Sequence, residues 1–190
     1  MEILPSIRER HSVRAYRDAP VDPACYPALI EAVRLAPSAC NSQPWTVVMV
    51  DRSDLVGAVA AAVRGPAGRL NGWAAQVPVF AVLVVEAPRL SARLGSLIKR
   101  RDLPWIDIGI AAGHFCLQAV ACGLGTCMLG WFDERRIRRL LGIPRRKRIA
   151  LVIALGHPAA DHAGPARRKA PAAMAAHNAY AAPWGAAADG

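Results

Sequence analysis

The chain has 190 residues, 54% of them hydrophobic and 20% charged, which is enough apolar material for one ordinary core and too much for a disordered chain. The longest apolar runs, nine residues from Val77 to Val85 and eight from Ile149 to Gly156, fall well short of the ~20 that a membrane-spanning helix needs. Lys and Arg number 24 against 14 Asp and Glu, a net charge of +10, and eight of the 24 lie between Arg135 and Arg148 beside only Asp133 and Glu134.

From the N-terminus, Asp22 and Pro23 form an N-cap and first-turn proline pair, and Leu29, Ile30, Val33 and Ala36 mark one apolar face. A helix is therefore expected over 23–36, stopped by Pro37. Thr46 to Val50 and Val79 to Val85 are short runs rich in β-branched residues and read as buried strands, with a helix between them begun by Ser53 or Asp54. Residues 86–104 are mixed and basic and carry no readable motif. Asp107 to Ala121 is dense in apolar residues and ends at Cys122-Gly123-Leu124-Gly125, so it reads as a central buried helix with a glycine stop. Thr126 to Trp131 reads as a strand, Asp133 as the cap of a helix ending at Gly142, and Ile149 to Leu155 as the last core strand. Ile137, Leu140 and Leu141 recur at i, i+3, i+4, which puts the arginines of that helix on its wet side. The competing readings of the basic stretch are a nucleic-acid surface and a contact with an anionic cofactor. From Pro158 the chain is Ala- and Pro-rich, with Arg167, Arg168 and Lys169 embedded, and reads as an arm.

No G-x-G-x-x-G follows a strand and no phosphate-loop motif occurs, which disfavours a Rossmann site and a P-loop. The expectation is one α/β (α+β) domain over 1–190 with three layers, a mixed central sheet flanked by helices, and an extended arm from about 158 to 190. Five cysteines without a C-x-x-C pair read as reduced thiols of a cytoplasmic protein, and nothing at the N-terminus argues for export. The histidines lack metal-binding spacing, so no metal site is expected.

Two segments concentrate donors. Arg10-His11-Ser12-Val13-Arg14 places two guanidiniums, an imidazole and a hydroxyl within five residues, a set that suits phosphate oxygens. Pro37 to Trp45 (PSACNSQPW) gathers Ser38, Asn41, Ser42 and Gln43 between prolines, a loop suited to the polar edge of a planar heterocycle. Each segment alone also reads as an ordinary exposed turn or capped loop.

In this order and spacing, RHSVRAY followed by APSACNSQPW resembles the start of the FMN-dependent nitroreductase family. DIGIAAGHFCLQA, GLGTCMLGWFDERRIRRLLGIP and ALGHP are similar to that family's central helix, flavin strand and final strand. The resemblance spans roughly residues 5–180 and implies an intertwined homodimer with FMN at the subunit interface. It implies that Arg10, His11 and Ser12 hold the FMN phosphate and ribityl chain, with Arg14 nearer the pyrimidine edge of the ring. Pro37, Ser38, Ala39 and Asn41 would reach the flavin bound mainly by the other subunit. Leu129 and Gly130 would present a backbone N–H to flavin N5, and Arg167 and Lys169 would finish the phosphate site. Asn71 falls near a ring-contacting position, although Ala74 stands where relatives have lysine, and segment 86–104 corresponds to the substrate mouth.

The implied activity is transfer of electrons from NAD(P)H to an organic acceptor such as a nitroaromatic or quinone. Donor and acceptor would take turns at one face of the flavin in a ping-pong cycle, with modest discrimination between NADH and NADPH. No catalytic acid or nucleophile is required. Other flavin chemistry on the same fold (reductive dehalogenation, flavin cleavage, heterocycle oxidation) is the alternative, and a basic nucleic-acid-binding module a more distant one. The expected partners are a second copy of the chain and a small-molecule substrate, without nucleic acid or membrane.

Overall fold

The computed structural model describes residues 4–65, 70–87, 102–159 and 167–185. Most of the segment read as the substrate mouth (88–101) and parts of the arm (160–166 and 186–190) lie outside the described residues.

Four strands, β1 (Trp45–Val50), β2 (Val79–Val85), β3 (Gly125–Leu129) and β4 (Arg148–Gly156), form a sheet in the order β1-β2-β4-β3. All three pairings are antiparallel, with Trp45 opposite Val85, Val79 opposite Leu155 and Gly125 opposite Gly156. Among the described residues, parallel pairing is confined to one bridge between Ser12 and Thr126, where the N-terminal segment lies along the outer edge of β3. The sheet expected to be mixed is antiparallel in all its described strand pairings, and the parallel contact comes from a segment outside the named strands.

Alternation along the strands feeds two cores. Phe80, Val82, Val84, Cys127, Leu129 and Val152 face one side, covered by α3 (Ser53–Val63) and α5 (Glu134–Leu140) through Val59, Val63 and Ile137. Val79, Ala81, Leu83, Ile153 and Leu155 face the other, covered by α2 (Tyr26–Arg34) and α4 (Leu103–Ala121) through Leu29, Val33, Ile108, Phe115 and Ala119. This is the expected three-layer α+β arrangement.

The helix ends follow local chemistry. Asp22 accepts from the Ala24 N–H at 2.9 Å ahead of Pro23, and Asp133 accepts from the Arg136 N–H at 2.9 Å to cap α5. Both α4 and α5 close with a left-handed glycine. After Gly123 (φ 71°) the Leu124 N–H reaches the Ala119 carbonyl at 2.8 Å, and after Gly142 (φ 65°) the Ile143 N–H reaches Arg138 at 2.9 Å.

Two features differ from the sequence reading. A short α1 (Leu4–Glu9) precedes the basic segment, and α4 begins at Leu103 rather than Asp107 because Pro104 sits in its first turn, where a proline costs nothing. Helix α4 is long and apolar enough by length and composition to cross a membrane. Its Ile108, Ala111, Ala112, Phe115, Cys116 and Ala119 are instead buried in the core between α2 and the sheet.

Candidate functional site

The basic N-terminal segment is fixed to β3 by its backbone. The Val13 N–H donates to the Thr126 carbonyl at 2.9 Å, and the Val13 side chain is buried. Gly125 makes this approach possible, since a Cβ there would stand 2.6 Å from Val13 Cγ2 and 2.9 Å from Pro158 Cγ. The chain then turns at Tyr16, whose hydroxyl donates to the Val13 carbonyl at 2.9 Å. Arg17 Nε donates to the Pro158 carbonyl at 2.8 Å, which ties the turn to the chain leaving β4.

Arg10 and Arg14 share one neighbourhood. Burial raises the Cys127 thiol, while the Arg14 charge, a hydrogen bond with Ser12 and the Arg10 charge oppose that rise. Burial also pushes the Cys116 thiol up to about 11, against a hydrogen bond with Thr126 and the field of Arg10. Arg14 Nη1 donates to the Ser12 carbonyl at 3.4 Å, and Arg10, Arg14 and the Ser12 hydroxyl all bear on Cys127 of β3. Neither arginine forms an ion pair among the described residues. Such a donor set matches a phosphate dianion, and it fits the phosphate of FMN. His11 donates from Nδ1 to the Glu9 carbonyl at 2.6 Å and lines a cavity of about 200 Å³ with Val13, Gly123, Leu124 and Thr126.

Further along the same strand, Leu129 is buried and Gly130 is exposed, and a Cβ on Gly130 would meet no atom within 4 Å. Gly130 stands four residues beyond Thr126, roughly 13 Å along extended chain. The basic segment thus lies against β3, and the open backbone position directly follows that strand.

The loop from Pro37 to Pro44 is tightly specified. Cys40, Asn41 and Gln43 all adopt left-handed backbone (φ 51°, 49° and 45°), a conformation that costs roughly 1 kcal/mol or more per non-glycine residue and persists only where its surroundings enforce it. The Gln43 N–H donates to Ser38 Oγ at 2.9 Å, and Gln43 Nε2 donates to Asn41 Oδ1 at 2.9 Å. The Ala39 N–H donates to both carboxylate oxygens of Asp107, at 3.2 and 3.1 Å, and Asp107 is only 5% exposed. Ser42 Oγ is buried without a hydrogen-bond partner among the described residues. Asp107 escaped the sequence reading; its signal was a lone carboxylate inside the apolar run Trp105 to Ala112.

The described chain does not bring this loop to the basic segment. The loop is anchored at Asp107 and Arg10 acts near Cys116, nine residues on, about 13 Å along a helix. Asn71 is half-buried, and its Nδ2 donates to the Val63 carbonyl at 2.8 Å, closing the end of α3. Arg167 and Lys169 are exposed, and among the described residues no backbone hydrogen bond joins them to the N-terminal segment.

Comparison with known proteins gives a consistent answer. The sequence profile described as the Nitroreductase family matches residues 7–157. A protein named NADH dehydrogenase from Thermus thermophilus is 30% identical over 80% of this chain and 85% of its own length. An FMN reductase [NAD(P)H] from Bacillus subtilis is 28% identical over 83% of this chain and 66% of that protein. The crystal structure of a nitroreductase family protein from Clostridium novyi superposes with a TM-score of 0.72 at 26% identity, covering 84% of this chain and 87% of that one.

Proposed function

The chain belongs to the nitroreductase family, and from that premise we propose that it passes electrons from NAD(P)H to an organic acceptor of the nitroaromatic or quinone type. It is an NAD(P)H-dependent oxidoreductase with FMN as its cofactor and NAD(P)H as donor. The observation that carries the reading is the pair of guanidiniums Arg10 and Arg14, in no ion pair among the described residues, on the segment that bridges at Ser12 to β3, the strand that leads into open Gly130.

Bound FMN supplies the redox chemistry, and the chain supplies its binding and orientation. Arg10, His11 and Ser12, with Arg167 and Lys169 from the arm, would hold the phosphate and ribityl chain. Arg14 would place a positive charge at the pyrimidine edge, where a cation favours the reduced form. The Gly130 N–H, held by buried Leu129, would meet N5, and Asn71 would approach the ring. Pro37, Ser38, Ala39 and Asn41 would close the site from a second copy of the chain, a role that suits a loop its own basic segment does not meet. With one open position beside Gly130, a single planar molecule fits in near-attack contact, so donor and acceptor take turns.

The test starts with the spectrum of the purified protein, then anaerobic bleaching by NADH and by NADPH, then a panel of nitroaromatic, quinone and halogenated acceptors. Parallel double-reciprocal lines with nitroaromatics or quinones are expected. Intersecting lines would contradict the shared face, and turnover confined to halogenated acceptors would replace the acceptor class. Stoichiometric FMN retained through dialysis by the Arg10→Ala/Arg167→Ala protein would remove the phosphate assignment.

A further inference from the structure

Away from this site, the densest charge lies on α5 and the turn after it. Arg135, Arg138, Arg139 and Arg145 line one cleft of about 810 Å³ whose remaining surface comes from Gly142, Ile143 and Pro144. The cleft is braced from within, because Arg138 Nη1 donates to the carbonyls of Arg145 at 2.7 Å and Lys147 at 3.1 Å and so holds the turn across the helix end.

The nearby carboxylates are engaged elsewhere. Asp133 caps α5, Glu134 accepts from Arg148 and from the Ile149 N–H, and Glu86 is paired with Lys147. Arg135, Arg139 and Arg145 consequently form no ion pair among the described residues. The helix dipole accounts for Arg139, near the C-terminus, but not for Arg135, which stands in the first turn where a cation is unfavourable. Nor does it account for guanidiniums from two elements converging on one concave surface. An anion between them relieves that repulsion, and forked guanidinium donors match phosphate oxygens.

We propose that this cleft is a nucleotide-phosphate site, with Arg135, Arg139 and Arg145 as the phosphate ligands and Ile143 and Pro144 as the apolar wall for the nucleoside. The inference rests on the donor being NAD(P)H, because the 2′-phosphate of NADPH is one source of that chemistry; a separate nucleotide is the other. Arg135 stands five residues beyond Gly130, at most about 18 Å of chain, so a donor whose nicotinamide stands at Gly130 has the cleft within its extended length. With the 2′-phosphate as occupant, the modest discrimination between NADH and NADPH would become a preference for NADPH.

The experiment uses FMN-loaded protein, wild type and Arg135→Gln/Arg139→Gln, with Arg145→Gln as an independent variant should the first prove unstable. Arg138 is left intact because it holds the turn. Binding of 2′,5′-ADP, ATP and adenosine is measured by calorimetry, and flavin bleaching by NADPH and NADH is followed in parallel. Expected is a loss of at least tenfold in the affinity of one phosphorylated probe in the variants, with adenosine unaffected. A selective fall with 2′,5′-ADP, together with at least a fivefold rise in the NADPH concentration needed for bleaching and none for NADH, assigns the donor. A selective fall with ATP and unchanged bleaching assigns a separate nucleotide. Changes under twofold for both probes overturn the site. So does variant-sensitive, steeply salt-dependent binding of duplex DNA by a protein that takes up neither probe. Failure of either donor to bleach the wild-type flavin counts against the parent reading alone, since the calorimetric measurement does not depend on it.

Discussion

Residue 125 shows how little separates a docked N-terminal segment from a detached one. Val13 is β-branched and buried, so it has few ways to retreat from a Cβ placed 2.6 Å from its Cγ2. Gly125→Ala is therefore expected to destabilise the protein by about 1–3 kcal/mol, measured by urea denaturation. Gly130→Ala meets no atom of the chain within 4 Å, so its urea midpoint should stay within about 0.5 kcal/mol of wild type. Its FMN affinity should fall, because the new methyl points into the space assigned to the cofactor. Equal loss of stability in both variants would contradict this contrast. Cys116 adds a pH dependence. Burial pushes its thiol up to about 11 from the ordinary 9, so the stability gained from its neutral form is complete below pH 9 and is lost as the pH rises through 11. Cys116→Ala should flatten the decline in the urea midpoint between pH 9 and 11 relative to wild type, although Tyr16, also raised by burial, keeps part of it.

At the scale of elements, α2 and α4 pack antiparallel: His114 Nδ1 lies 3.2 Å from the Ala32 carbonyl, and Asp107 takes the Ala39 N–H just beyond the end of α2. Asp107 thus couples α4 to the loop with three left-handed residues. Asp107→Leu leaves the Ala39 N–H without its acceptor and should cost about 1–3 kcal/mol in a thermal melt. It should also speed alkylation of exposed Cys40 as the loop loosens; an unchanged Cys40 rate would show that the loop holds its shape without the carboxylate. None of this coupling was legible in the sequence, because Ala39 and Asp107 are 68 residues apart and only one of the three left-handed positions carries an asparagine. What the sequence did reveal was local. Asp22 with Pro23, Asp133, Gly123 and Gly142 mark helix ends through contacts within a few residues, and the β-branched runs mark the strands. Likewise, the donors of Arg10 to Arg14 could be read as a phosphate set, but their attachment to Thr126 depends on Gly125, whose role appears only once Val13 lies against it.

For the whole molecule, the apolar surface points to association. Leu4 and Ile7 on α1 and Ile106 and Ile110 on α4 are exposed, and these two helices pack together. The arm adds exposed Met174, Tyr180 and Trp184, with a His177–Trp184 ring contact whose centroids lie 5.9 Å apart. Light scattering should give twice the chain mass, and Ile106→Glu/Ile110→Glu should shift the protein toward monomer with loss of bound FMN. A wild-type monomer that retains FMN would contradict both the shared site and the arm. The bridge between Ser12 and Thr126 also orders events during biosynthesis. The arginines leave the ribosome well before the strand edge that receives them, which is finished only after the Gly125–Gly156 pairing closes. At ribosomal rates of ~5–20 residues per second, they wait on the order of ten seconds for their place. A nascent chain stalled before β4 therefore carries every donor of the motif without the strand edge that receives them, so the proposed seating of FMN waits until β4 has been made.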